Sequence, residues 1–301
     1  MATEKRNLKH WLEFYSFQIF LALARLMPLA WSNWLGRYLG ALAFTVLPAR
    51  RRLTLENLRQ AQQHGFLPDT LNINRVARKT WEHLGMLGSE FIFYSNQPGQ
   101  VLKNVSIEGE ANLRRILEKK RGVIMALGHI GNWELMGSRI ALAGIGVSSI
   151  TKTQSNSLLD DYINQSRRAA GIKSIPKLSF LRPILRAFEH NELVSFFIDQ
   201  NGGKAGISLT VFGRETMIPR GAAEFALKTE TPVVFGYIVR EVGNRHRIII
   251  SEEIALSRSG DFTRDIQVNT AKFWELIQVA IQEHPEQWLW MHRLWDTKIR
   301  L

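Results

Sequence analysis

Residues 122–137 read GVIMALGHIGNWELMG. The short uncharged run Gly122–Leu127 ends on Gly128 and His129, and Glu134 follows five residues later. On one ideal helix a five-residue separation turns through about 140°, so His129 and Glu134 would not share a face. The spacing makes sense if Gly122–Leu127 is a buried strand and His129 lies just past its end. Asn132 then caps a helix that carries Glu134 in its first turn. A carboxylate there suits the helix dipole and is expected to reach back to the imidazole, fixing its tautomer. That pair reads as a general base with its orienting partner, at the strand end where open α/β sheets bind ligands. Metal binding is disfavoured, because no second histidine lies four residues away and no compact His/Asp/Glu cluster is visible. A Ser-His-Asp hydrolase is disfavoured too, because no G-x-S-x-G occurs.

The same alternation extends in both directions. Strands are expected at 122–127, 146–151, 193–198, 232–238 and 246–251. Helices are expected at 109–119, 132–143, 156–170, 179–190, 220–229 and 264–283. Short apolar runs alternating with amphipathic helices predict an α/β fold whose mostly parallel sheet is flanked by helices. Upstream, 53–62 and 71–94 carry helical spacing, Asp69-Thr70 is the expected cap of the second helix, and NQPGQ at 96–100 is a break.

Between Phe14 and Leu47 the only charges are Arg25 and Arg37, and Arg50–Arg52 follow. Pro28 divides this run into halves shorter than the ~20 residues of a straight span. Trp11, Trp31 and Trp34 sit where interfacial anchors would, with the arginines as a cytoplasmic flank. Three readings stand: one tilted span, an interfacial or re-entrant helix pair, or a buried helical hairpin. The broken run and its arginines favour membrane contact. A signal peptide fits poorly, since the apolar part is too long and no small-x-small cleavage site clearly follows. Residues 1–52 are thus expected to form a helical membrane-associated N-terminal region. Residues 53–301 are expected to form the α/β catalytic domain, with a helical lead-in over 53–100.

The 301 residues hold 39 Lys+Arg against 27 Asp+Glu, a formal +12, with 45% hydrophobic and 22% charged residues. This is a globular composition whose charge points to an anionic partner. The basic residues are scattered without an interleaved aromatic platform, which argues against nucleic acid. Cysteine is absent, which excludes disulfides, thiolate metal sites and a cysteine nucleophile.

Four blocks carry a resemblance: GHIGNWE at 128–134, FIDQNGG at 197–203, VFGRETMIPRGAAEFALKTETPVV at 211–234, and HPEQWLWMHRLW at 284–295. In this order they resemble the late acyltransferases of lipid A biosynthesis, the lauroyl/myristoyl (HtrB-like) family within the H-x4-[D/E] acyltransferases. The similarity spans nearly the whole chain. Many members carry an arginine early between the dyad and the aspartate loop. Here Lys152 is the nearest basic residue, and lysine does not replace arginine in bidentate work.

The resemblance implies acyl transfer from an acyl-carrier-protein thioester to a hydroxyl of a membrane glycolipid, without a cofactor. His129 would take the hydroxyl proton and Glu134 would hold the imidazole. Substrate-binding and oxyanion candidates are Asp199, Arg167, Arg220 and Asn132, with backbone N–H groups near Gly202 and Gly203. His292 would pack or hydrogen-bond in an aromatic cluster, and Arg168 would lie on a solvated helix face. The implied location is the inner membrane, with the catalytic domain facing the cytoplasm. The alternative is an enzyme of the same architecture acting on another glycolipid or a lysophospholipid, of phosphatidylinositol mannoside type, with acyl-CoA.

Overall fold

A computed structural model describes residues 8–95, 97–177 and 181–295. The 122–127 run forms β2 (Val123–Leu127), buried along its whole length. It lies between β8 (Val233–Arg240) and β5 (Leu193–Phe197) in a seven-stranded sheet. The order continues outward to β9 (His246–Ile250) and β1 (Val105–Glu108) on one side. On the other side lie β3 (Val147–Thr151) and β4 (Ile172–Pro176). All neighbours are parallel except β8 and β9.

A central parallel strand is covered on both faces, which explains an apolar run without polar alternation. Ile124 and Ala126 join one core cluster, while Val123, Met125 and Leu127 join the other. The first core lies under α3 (Pro48–Gln63), α10 (Gly221–Thr229) and α11 (Phe262–Glu283). The second lies under α6 (Glu110–Leu117) and α7 (Trp133–Leu142), with the end of α4 (Ile73–Tyr94) and α5 (Pro98–Asn104). The remaining connections are α8 (Ser157–Ala169) and α9 (Leu181–Glu189).

All five expected strands and six expected helices form, within a few residues of their predicted ends. Residues 179 and 180 of the expected 179–190 helix lie outside the described residues, as does Asn96 of the 96–100 break. Two edge strands are additions. β1 has four residues, and β4 (IKSIP) mixes polar residues with a terminal proline, which an edge tolerates. The antiparallel hairpin of β6 (Ile207–Val211) and β7 (Arg214–Ile218) is a third addition. The cap of α4 is Asn72, whose side chain accepts from Arg75 N at 2.9 Å, and not Asp69-Thr70.

Upstream stand α1 (Leu8–Leu26) and α2 (Leu29–Val46), separated at Pro28. Among the described residues no helix is long and apolar enough to cross a membrane. Helix α2 turns small and polar residues inward, burying Ser32, Asn33, Gly36 and Gly40. It leaves Trp31, Trp34, Tyr38, Leu42 and Val46 exposed. It lies against α4 at backbone contact. A Cβ on Gly40 would strike the Trp81 carbonyl, and one on Gly85 would strike the carbonyl of Gly36.

This contact yields a first prediction. Gly85→Val should lower stability by about 1–3 kcal/mol or more, since overpacking at backbone contact cannot be relieved by rotamer change. Gly88→Ala, inside the same helix with open space around its Cβ position, should not lower the melting temperature and should raise it slightly, since alanine is the better helix former by about 1 kcal/mol. Thermal unfolding of both variants, with protease cleavage between α2 and α3 as a local readout, checks it.

Candidate active site

The loop leaving β2 is pinned residue by residue. Gly131 has φ +63°, and a Cβ there would strike the Ile238 carbonyl, so glycine is required. Its N–H donates to the Gln287 carbonyl at 2.9 Å, and the His129 carbonyl accepts from Leu289 N at 3.2 Å. Asn132 caps α7, accepting from Leu135 N at 3.1 Å, as the sequence predicts.

Strands β2 and β5 pair with Leu127 opposite Phe197. Both chains leave the ladder at one level, and residues two beyond each end meet. Asp199 Oδ1 is 2.7 Å from His129 Nδ1, and Asp199 Oδ2 accepts from the His129 backbone N–H at 2.6 Å. The indole of Trp288 donates to Oδ2 at 2.8 Å. Asp199 is fully buried. Burial alone would raise its pKa. The His129 charge, together with hydrogen bonds from the imidazole, the His129 N–H and Trp288, outweighs burial and holds the carboxyl below the ordinary aspartate value. With Nδ1 carrying its proton toward Asp199, Nε2 is left as the free lone pair. Phe197 lies along the imidazole at a centroid distance of 4.3 Å, and Trp133 meets it edge-on at 4.9 Å.

The acceptor on the imidazole is therefore Asp199 and not Glu134. Glu134 does sit in the first turn of α7. Its carboxylate is engaged by Arg167 of α8: Nε donates to Oε2 at 2.9 Å, and a second guanidinium nitrogen donates to Oε1. Such a two-point pair orients both partners. Burial disfavours the Arg167 charge, but Glu134 overcomes this and raises its pKa. Arg167 thus occupies the bidentate role for which Lys152, exposed, is unsuited. The pair lines a shallow concavity walled by Phe91, Tyr94, Leu135 and Ile172.

Other candidates are placed differently. Arg220 is half-exposed at the start of α10 and pairs with Glu224 at 3.2 Å, one turn along the same helix. Asn132 is wholly buried, and its remaining amide group donates to Glu90 at 2.9 Å, so it is not open to a substrate. The N–H groups of Gly202 and Gly203 are already committed, to Met217 O at 2.7 Å and Asn201 Oδ1 at 2.8 Å. Arg168 is exposed.

Three residues escape sequence reasoning. Gln200 Nε2 is 2.8 Å from His292 Nε2 and 3.3 Å from each ring nitrogen of His129. His292 thus adjoins His129, with ring centroids 5.5 Å apart. Burial, then the His129 charge, lowers its pKa to about 4, so it is neutral at pH 7. Trp288 is the second. Glu90 is the third, fully buried and accepting from Arg240, His246, Asn33 and Asn132. Arg240 also lies 3.5 Å from His83, whose pKa burial and that cation push down to about 3.

An imidazole held at Nδ1 by a buried carboxylate, with Nε2 as its basic nitrogen at the C-terminal edge of a parallel sheet, can take a proton from a hydroxyl. The molecule is an α/β enzyme of the acyltransferase class. The chain belongs to the bacterial lipid A biosynthesis acyltransferase family, whose model matches residues 1–297. It is similar to the lipid A biosynthesis palmitoleoyltransferase of Escherichia coli, 24% identical over 295 residues, which cover 96% of this chain and 92% of that one. The lipid A biosynthesis acyltransferase of Shigella flexneri matches to the same extent. It is also similar to a phosphatidylinositol mannoside acyltransferase of Mycolicibacterium smegmatis, 23% identical over 202 residues, which cover 65% of this chain and 63% of that one.

The two neutral histidines generate a pH prediction. Their folded pKa values, about 3 for His83 and about 4 for His292, lie below the unfolded value near 6.5. Below pH 6.5 the unfolded chain therefore binds protons that the folded chain refuses, and stability falls as pH drops toward 4. Urea unfolding from pH 7.5 to 4.5 should show this slope. His83→Asn should lessen it by roughly one proton.

Proposed function

We propose that this acyltransferase moves a fatty acyl chain from an acyl-carrier-protein thioester to a hydroxyl of a lipid A precursor, at the cytoplasmic face of the inner membrane. The observation that carries the reading is the hold of Asp199 on Nδ1 of His129, which leaves Nε2 as the basic nitrogen of the ring. His129 removes the proton as the acceptor oxygen attacks the thioester carbonyl. Asp199 holds the tautomer and stabilises the imidazolium that forms. Glu134 acts through Arg167, fixing a guanidinium at the rim of the site where an acceptor phosphate can be met. The near full-length match to enterobacterial lipid A enzymes favours a lipid A acceptor over the mannoside alternative, whose relative matches a shorter part of this chain.

The inverted faces of α2 support membrane association. A soluble helix buries its large apolar residues. Here Trp31 and Trp34 are 68% and 62% exposed while Asn33, Gly36 and Gly40 are covered. Leu8, Leu12, Tyr15 and Ile19 form a second exposed apolar stripe at helical spacing on α1. Such a surface suits the headgroup boundary of a bilayer. The formal charge of +12 suits both an anionic leaflet and an acidic carrier protein.

Two measurements test this. Purified enzyme given labelled lauroyl-acyl carrier protein and a lipid A precursor disaccharide should transfer the label. His129→Ala should lose at least about a hundredfold of that rate while keeping its fold. Rising ionic strength should raise the KM for the carrier thioester. Turnover retained in His129→Ala removes the base assignment. Separately, Trp31→Ser/Trp34→Ser should release the protein from vesicles of phosphatidylethanolamine and phosphatidylglycerol in a flotation assay. Equal flotation of variant and wild type would refute the α2 surface as the contact.

A further inference from the structure

Acyl transfer through a tetrahedral intermediate needs a donor where the carbonyl oxygen becomes charged. The obvious groups near His129 are occupied. The loop amides donate elsewhere: His129 N to Asp199, Ile130 N to Gly128 O, and Gly131 N to Gln287 O. Gly202 N donates to Met217 O of β7 and Gly203 N to Asn201 Oδ1, Arg167 is fixed on Glu134, and Asn132 is buried under its cap.

Gln200 stands apart from these. Its amide nitrogen lies 3.3 Å from both ring nitrogens of His129, hence on neither lone-pair axis. One of its two hydrogens is taken by His292 Nε2 at 2.8 Å. Nδ1 of His129 is committed to Asp199, so the second amide hydrogen is left for the Nε2 edge of the ring, with Nε2 3.3 Å from the amide nitrogen. A hydroxyl bound to Nε2, and the carbonyl it attacks, would stand beside the same amide. His292 suits the part of clamp: it is neutral at pH 7, so its ring can offer Nε2 as an acceptor.

We propose that the Gln200 side-chain amide is the oxyanion donor of this site and that His292 is the positioning residue that aims it. The inference rests on the reading of His129 as the base. In the step it serves, the acceptor O–H bond breaks toward His129 Nε2 while the O–C bond forms. The carbonyl π pair moves onto oxygen, which accepts the free Gln200 N–H. On collapse the C–S bond breaks, the sulfur takes the proton back from His129, and an ester and a free thiol leave. A donor that strengthens only as charge develops lowers the barrier without tightening ground-state binding, which separates it from a group that merely holds substrate.

The test uses the full chain with lauroyl-acyl carrier protein and a lipid A precursor disaccharide, following kcat and KM for both substrates and the melting temperature. Gln200→Met keeps length and removes the donor, and Gln200→Glu leaves an acceptor only. Both should lower kcat by about a hundredfold with each KM within about threefold and melting unchanged. His292→Phe should lose part of that rate, and His292→Asn, whose carbonyl can take the same N–H, should regain it. Gln200→Met turning over within about threefold of wild type, or a loss carried wholly by KM, overturns the proposal. If wild type transfers and His129→Ala does not, that failure is confined to Gln200. If wild type transfers nothing, the base reading falls and this one falls with it.

Discussion

The in-register pairing of β2 with β5 is the constraint from which the site follows. Parallel strands that end at the same rung deliver their next residues to the same place, and here those residues are His129 and Asp199. A slip of one residue would turn every β5 side chain to the opposite face. Burial of β2 on both faces sets that register firmly, because each wrong pairing exposes part of a core. The cost of an ionised carboxylate without solvent is offset locally by three donors: two from His129 and one from Trp288. Site geometry and core packing are therefore one problem, and the strand pairing solves both.

The C-terminal segment closes this arrangement from outside the sheet. Residues 287–289 run against the His129 loop, with Ile130 bridged to Trp288 and hydrogen bonds on both sides of it. Trp288 and Trp290 are buried beside Phe212 and Trp274, and Asn57 of α3 donates to the carbonyls of Trp290 and His292. This stretch of tryptophans is thus a clamp on the loop. Its polar members, Trp288 Nε1 and His292, are the parts that face the site.

Much of this was legible because period and burial agree. A charge-free run ending at glycine and histidine, followed by Asn132 and a helix, has few other structural readings, and the central strands follow from the same signal. What spacing could not show is which carboxylate meets the imidazole. Glu134 is close along the chain, but its partner Arg167 lies 33 residues onward and becomes a neighbour only when α8 packs beside α7. Asp199 is 70 residues from His129, and their meeting requires that β5, not β3, lie next to β2. Sheet order is a long-range property, invisible to any local window. Edge strands β1 and β4 stayed hidden for the opposite reason, since strands half open to solvent carry little apolar signal.

Helix α2 shows how far hydropathy misleads when the surrounding solvent is unknown. Its attachment owes little to buried apolar area, because its large side chains face outward. It is held instead by backbone approach at Gly36, Gly40 and Gly85, and by Asn33, which donates to Glu90 at 3.1 Å and to Asn244 at 3.0 Å. Small residues at the contact with polar side chains as glue are the packing means that work where water is absent. Glu90 joins this contact to the site, since the same carboxylate accepts from the Asn132 that caps α7. Burial would raise its pKa, but His246 and Arg240 hold it well below the ordinary glutamate range. A charge kept without solvent and surrounded by donors from α2, α7, β8 and β9 is worth most as a fixed point of geometry. The outward-facing aromatic surface and the histidine loop are both built from that point, so the orientation of one sets the orientation of the other.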